Sequence, residues 1–344
     1  IPQVSLPFGG GICPSVKDLF EVNPGLEELD SMYKIKHRIG VFESYLNSVD
    51  ENGKVYATAN GFSKTFRLTH SKPITNLPKV GVFYGQEIRE VLTVSDDNYI
   101  LIGSDISGLE SASADHYIYE YDPEYVSEKR QPGFDPHIDI GLLAGLITKE
   151  EADFFKYADG NDSLSNEEKD KLKNIKKIRN TAKTINFSAV YGAGPPKIAE
   201  TLKCDLSFAT KLHKTYWKRN WAVKKIAEDS IVKIVNNQKW LYNSLSGFWM
   251  FLSAEKDRFS SKNQSSGVYI FDTWLKYLRE YLEPHNIYII LQYHDEIVML
   301  LKKDQIDFAK AEIKRAMNAT NKELNLNVEI TNSIDVGKTY ADIH

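Results

Sequence analysis

Apolar and polar positions along the 344-residue chain repeat with two different periods. Over 16–49, "VKDLFEVNPGLEELDSMYKIKHRIGVFESYLNSV", apolar residues recur every three or four positions and break at "NPG", which predicts two helical pieces. The opening "IPQVSLPFGGGICPS", rich in Gly and Pro, reads as irregular. "SDDNYILIGSD" is a polar turn and a short apolar strand that ends on Asp105. From about 136 to 235 the spacing is mostly helical. Within that region "DGNDSLSNEEKD" is a charged loop. It has Leu164 where a calcium loop needs glycine and Asp170 where it needs glutamate, so a helix start capped by Ser165 with Glu168 is the better reading. "NIYIILQYHDEIVMLLKK" predicts two strands around a polar tip, followed by a helix and a terminal strand over "NLNVEITNSID". No internal repeat is present.

Candidate chemistry sits on these elements. In "RNTAKTINFSAVYG" Arg179, Lys183, Phe187 and Tyr191 stand four apart and form one slanted stripe on a helix. Gly192, Gly194, Pro195 and Pro196 end that helix. Snorkelling cations beside two core aromatics give the same pattern. The functional alternative is a triphosphate clamp, with the cations on phosphate oxygens and the rings against bases. Asp105 lies at a strand exit and Asp295 at a hairpin tip. Alone, each reads as a turn residue. Together, on strands of one sheet, they can supply the hard oxygen ligands of a two-metal site.

Charge and cysteine usage narrow the setting. The formal net charge of −4 gives no global basic field. Locally, "KLKNIKKIRNTAK" carries six cations and no acid. Cys13 and Cys204, far apart, make neither a thiolate metal site nor a disulfide framework and fit a reducing, intracellular location. No apolar run is long enough to span a bilayer, and no signal peptide is visible.

Strand–Asp, Arg/Lys helix and His-Asp-Glu hairpin, in that order, resemble the family A (DNA polymerase I type) DNA polymerases from about residue 15 to His344. "SDISGLE" looks like motif A, "RNTAKTINFSAVYG" like motif B and "HDE" like motif C. "TFRLTHSKP", "DPHIDI", "KNQSSG" and "GKTYADIH" resemble further blocks. "DISGLES", "RLTH" and "YGAG" look closest to bacteriophage replicative members. The resemblance implies an α+β, right-hand fold with an antiparallel palm sheet and a helical fingers subdomain. It places a thumb remnant and lead-in at 1–60, palm at 61–135, fingers at 136–235 and palm again at 236–344. The implied activity is template-directed DNA synthesis, in which two Mg²⁺ ions assist nucleotidyl transfer from a dNTP to a primer 3′-hydroxyl.

Residue by residue, the resemblance implies that Asp105 and Asp295 hold the metals, with the Ile106 carbonyl as a further oxygen and Glu296 tuning the site. Arg179, Lys183 and His137 would grip the triphosphate, and Lys183 would protonate departing pyrophosphate. Phe187 would lie against the incoming base and reject nucleotides lacking a 3′-hydroxyl, and Tyr191 would pack beneath a template base. Glu110 would block a ribose 2′-hydroxyl. Arg67, Gln264 and His294 would touch the minor groove of the primer–template. Expected partners are primer–template DNA and dNTPs, with no membrane. An upstream thumb-and-exonuclease segment or a processivity factor would complete the set. Expected location is the cell interior, the bacterial host's cytoplasm for a phage gene.

The pattern is broken in places. Phe66 stands for a glycine, Ser111-Ala112 for Leu-Arg, Ser188 for a glycine, Phe248 for an arginine and Ser260 for an asparagine. Most of these positions surround the duplex rather than the metals. Rival readings are a single-subunit RNA polymerase, opposed by Glu110 and Glu296, and a non-catalytic nucleic-acid-binding protein derived from a polymerase.

Overall fold

The structure, a computed structural model, describes residues 27–71, 73–74 and 76–344. Cys13 and the "NPG" break lie outside the described residues. The elements in chain order are α1 (Glu27–Leu46), β1 (Thr58–Phe62), β2 (Leu68–Ser71), α2 (Gly85–Glu90), β3 (Tyr99–Asp105), α3 (Leu109–Ile118), α4 (Pro123–Lys129), α5 (Pro136–Leu143) and α6 (Lys149–Ala158). They continue with α7 (Asn166–Val190), α8 (Pro195–Leu202), α9 (Leu206–Arg219), α10 (Trp221–Asp229), β4 (Val232–Val235), β5 (Gln238–Tyr242) and β6 (Trp249–Phe251). The last are α11 (Arg258–Leu282), β7 (Tyr288–Tyr293), β8 (Glu296–Lys302), α12 (Ile306–Glu323) and β9 (Asp335–Gly337).

The central sheet has the order β7-β8-β3-β9 and is antiparallel throughout. Side-chain alternation gives it two buried faces. Ile102 of β3 and Ile297, Met299 and Leu301 of β8 pack against Ile270, Trp274 and Leu278 of α11 and Ile313 and Met317 of α12. Leu101 and Val298 point the other way, onto Val94, Tyr340 and Ile343. A strand covered on both faces reads as a continuous apolar run, which is why "YILIG" and "EIVMLL" lack polar alternation. Gly103 is needed for this second contact, since a Cβ there would lie 2.9 Å from that of Ile343. Replacing Trp274 by Ala would cost about 3–5 kcal/mol.

The helical region forms its own core. Ile140 of α5 and Ala144 just past it, Ala182, Ile185 and Ala189 of α7, and Leu212 and Tyr216 of α9 are buried together. The α7 start follows the expected capping box: Glu168 N donates to Ser165 Oγ (3.3 Å), and Ser165 N donates to Glu168 Oε2 (2.9 Å). Tyr117, Tyr125, Val223, Ile226 and Phe259 tie this region to α11. The strands β4-β5-β6 make a separate antiparallel sheet. The expected subdomain boundary at 235 falls in the β4–β5 hairpin. Among the described residues, no helix is long and apolar enough to cross a membrane.

The terminal strand expected over "NLNVEITNSID" is displaced: the strand that pairs with β3 is Asp335–Gly337. Upstream, residues 331–333 pair with 105–107 only as an isolated bridge, Ser107 N donating to the Thr331 carbonyl and Ser333 N to that of Asp105 (both 2.9 Å), and at 327 and 330 side chains take the backbone bonds that a strand neighbour would have taken. Asn321 bonds both the N–H (2.9 Å) and the carbonyl (2.8 Å) of Ile330, and Asn327 N donates to His116 Nδ1 (3.1 Å). Alternating Val328 and Ile330 are buried without being in a strand, so the period-two pattern was real and its hydrogen bonds lay elsewhere.

Candidate active site

Three acids meet at one end of the central sheet. Asp105 ends β3 directly opposite Glu296, the first residue of β8. Residues so paired share a face, here the one covered by the C-terminal segment. Asp295 is in the two-residue turn between β7 and β8, and its carbonyl accepts from Ile106 N at 3.1 Å. The tight turn is made by His294, whose φ is 59°. Burial first, then the charges of Asp295 and Glu296, push the Asp105 carboxyl up to about 7. Burial also raises Asp295, and Arg67 partly offsets it.

Glu296 is held from the far side. Tyr340 Oη donates to its Oε1 (3.2 Å), and His344 Nε2 lies 2.8 Å from its Oε2. These contacts turn one carboxylate toward the C-terminal segment and leave Asp105 and Asp295 as the crowded pair. The sequence offered "GKTYADIH" as a block but no role for Tyr340 or His344. Among the described residues no backbone N–H donates to the Ile106 carbonyl, whose residue is fully buried. Among the described residues no group of three or more His, Cys, Asp or Glu is arranged to hold a metal ion. Two crowded, half-buried carboxylates are hard oxygen donors of the kind a divalent cation takes, with the fully buried Ile106 next in the chain to Asp105.

The helix α7 supplies the opposite charge. Arg179 Nε donates to Asp135 Oδ2 at 2.7 Å. Asp135 also caps α5, its Oδ1 accepting from His137 N (2.8 Å) and Ile138 N (2.9 Å). Asn186 Nδ2 donates to His137 Nδ1 (2.8 Å), which puts the ring proton of the neutral imidazole on Nε2. Burial, helped by Arg179 and Lys183 and opposed by Asp135, lowers the His137 pKa. Arg179, Lys183 and His137 are thus brought together. Asp135 and Asn186 are the partners that sequence reasoning missed. The Asp-Pro start of "DPHIDI", a helix N-cap signature, was the available signal for Asp135.

A second junction joins blocks far apart in the chain. Tyr191, just past α7, donates to Glu110 Oε1 (3.1 Å), and Gln264 Nε2 lies 3.5 Å from Tyr191 Oη. Asn263 Nδ2 holds the Glu110 backbone carbonyl at 2.9 Å. Arg67 is near enough to act on Tyr191, Asp295 and His294 together. A groove of ≈ 260 Å³ is lined by Arg67, His70, Asn76, Tyr293 and His294. Burial, Arg67 and His70 push the His294 imidazole down to about 4, so it is neutral. Lys183 is exposed, Arg179 half-buried and Tyr191 exposed, which makes the stripe a surface feature at these positions. Phe187 lies on α7, and its side chain is outside the described residues.

An antiparallel sheet carrying paired acids, joined through Tyr191 and Glu110 to a helical region whose long helix carries cations, matches the right-hand polymerase fold. The POL domain of Pol1 from M. smegmatis, in complex with DNA primer-template and dNTP, superposes with a TM-score of 0.71 at 19% identity, over 96% of this chain and 56% of that one. The profile of DNA polymerase family A matches residues 148–342, more than half of the chain, and the chain belongs to that family. Among its relatives, DNA polymerase I of Helicobacter pylori (strain ATCC 700392 / 26695) is 25% identical over 78% of this chain and 28% of its own length. The DNA-directed DNA polymerase of Enterobacteria phage T3 is 21% identical over 87% of this chain and 42% of its own length. The chain therefore spans less than half of each of these relatives. Bacterial and phage relatives stand at similar identity, so the family is shown and the phage group is not singled out.

Proposed function

We propose that the chain carries out template-directed DNA synthesis, joining a dNTP to a primer 3′-hydroxyl. The observation that carries this reading is the junction of Glu110, Tyr191 and Gln264 beside Asp105 and Asp295, which unites sequence-remote blocks at one point. In this reading β3, β7 and β8 act as the palm and α5–α10 as the fingers. Asp105, Asp295 and the Ile106 carbonyl would hold two Mg²⁺ ions. When bound, such ions lower the pKa of the primer hydroxyl and neutralise the departing pyrophosphate.

The chain's own residues do the rest. Arg179, Lys183 and His137 bind the triphosphate, and Lys183 gives a proton to the leaving pyrophosphate oxygen. Phe187 stacks on the incoming base. Glu110, fixed by the Tyr191 hydroxyl, fills the space beside C2′ and excludes a ribose hydroxyl. Arg67, Gln264 and the neutral His294 contact the minor groove, where acceptors are alike in all base pairs. An inward swing of α7 on the correct nucleotide would complete the site. The test is primer extension with Mg²⁺, comparing dNTPs with NTPs. Extension with dNTPs that is lost in Asp105→Ala is the expected result; NTP preference, or no extension despite tight primer–template binding, would select one of the rival activities.

A further inference from the structure

Two wet aromatic rings meet beside Arg67. Phe66, in the β1–β2 turn, has φ 66°. That left-handed conformation is costly for a residue with a Cβ. The turn enforces it: Phe66 N donates to the Ser63 carbonyl (3.0 Å), and Ser63 N to that of Arg67 (2.9 Å). The ring stands edge-on to Phe248, with centroids 5.9 Å apart. Phe248 follows Gly247 in the β5–β6 turn and meets Tyr269 of α11 at 6.2 Å. Three elements distant in sequence thus contribute one ring each. Phe66 remains 36% exposed and Phe248 54%.

Backbone strain is normally offset by burial or by a partner. Here the ring it presents is only partly covered, by Phe248, which is itself more than half exposed, and this points to a partner outside the chain. Position supplies the partner's chemistry. The next residue is Arg67, which acts on Asp295, and Gln264 lies five residues before Tyr269 on α11. The aromatic surface therefore continues the proposed primer–template groove outward. Both positions also depart from the family pattern, where glycine and arginine are expected. In this chain the two departures are one structural event, a ring for each, in contact.

We propose that Phe66 and Phe248 form an aromatic clamp that packs on the sugar faces of the primer–template duplex next to Arg67. This rests on the polymerase reading. A ring displaces no counterion, whereas a cation on phosphate does. The clamp thus replaces a salt-sensitive contact with a salt-insensitive one.

The test is fluorescence anisotropy of the full chain with labelled primer–template and, separately, the single strand, across a salt series, with thermal melts alongside. Phe66→Ala and Phe248→Ala each weaken duplex binding about 5- to 20-fold at unchanged salt slope. The double variant loses less than the product of the two, because the rings act together. Phe248→Arg recovers affinity with a slope steeper by about one charge. Phe66→Gly relieves the strain, melts no lower than the parent and still binds weakly, so misfolding cannot imitate the result. Duplex affinity within about twofold of the parent in all these variants, with or without a lower Tm, overturns the clamp, as does a parent that binds no duplex. Equal losses on the single strand overturn the duplex assignment. Ring-dependent binding without primer extension sinks the polymerase reading and leaves the clamp; extension with ring-independent binding does the reverse.

Discussion

The acid-bearing sheet and the cation-bearing helix balance their charge in opposite ways. On the sheet, Asp105, Asp295 and Glu296 are crowded on rigid, doubly covered strands, and burial and mutual repulsion raise Asp105 and Asp295. Glu296 has close side-chain donors in Tyr340 and His344. On the helix, Arg179 is already neutralised by Asp135, the residue that caps α5. The sheet keeps an unmet demand for positive charge on a scaffold that does not have to move. The helix keeps its cations occupied until a stronger anion arrives. On the proposed function, the sheet would be a preformed cation site and the helix an exchangeable anion site, which suits a reaction in which the nucleotide is the variable and the metals are constant.

Removing the sheet's charge is expected to do the most damage. Asp105→Ala or Asp295→Ala should lower primer extension more than about 1,000-fold, with primer–template affinity within about threefold of the parent. Single-turnover extension and anisotropy separate the two quantities. Residual extension above about a tenth of the parental rate would show that the crowded pair is not the reaction centre.

The helix is expected to respond in two directions. Lys183→Ala should lower kcat/KM for dNTP about 100- to 1,000-fold. Asp135→Asn should do the reverse for binding: asparagine remains a good N-cap, while Arg179 is released from its ion pair. The ion pair is only part-buried and solvent still screens it, so the expected fall in KM for dNTP is about two- to fivefold. An unchanged or higher KM would mean that Asp135 orients Arg179 rather than competing for it. The junction between sheet and helix gives a graded pair. Glu110→Ala should admit ribonucleotides, and Tyr191→Phe, which removes only the hydroxyl that fixes Glu110, should relax sugar choice several-fold less. Equal effects would place sugar selection on the ring rather than the carboxylate.

The fold was legible where one physical signal dominated. The doubly buried strands, the capping box at Ser165 and the Gly-Pro stop after Tyr191 are local in sequence and local in structure. The acids were legible as a pair because each sits at a strand end. The neighbours that hold the site were not. Asp135 to Arg179, His344 to Glu296 and Tyr191 to Glu110 span 44, 48 and 81 residues, and periodicity carries no information on such pairings. The displaced terminal strand failed for a related reason: Asn321 supplied backbone partners that only the folded chain brings near.

The smallest expected effect is on stability against pH, and it probes the helix side alone. The His137 imidazole is lowered in the folded protein, by burial first and then by Arg179 and Lys183. The unfolded chain, with an ordinary imidazole pKa near 6.5, therefore binds more protons than the folded one as pH falls. Stability that is fully present above that value should be lost progressively below it. His137→Gln keeps a polar side chain beside Asn186 and removes the titration, so its Tm should fall less than the parent's between about pH 7 and pH 5.5. The shift should be a few degrees at most, because Asp135 opposes the two cations. A nucleoside triphosphate occupying the site should shrink the difference, since its negative charge favours the protonated ring. Parallel melting curves for the two proteins would mean that His137 meets the same surroundings folded and unfolded, and that Arg179 and Lys183 do not face it.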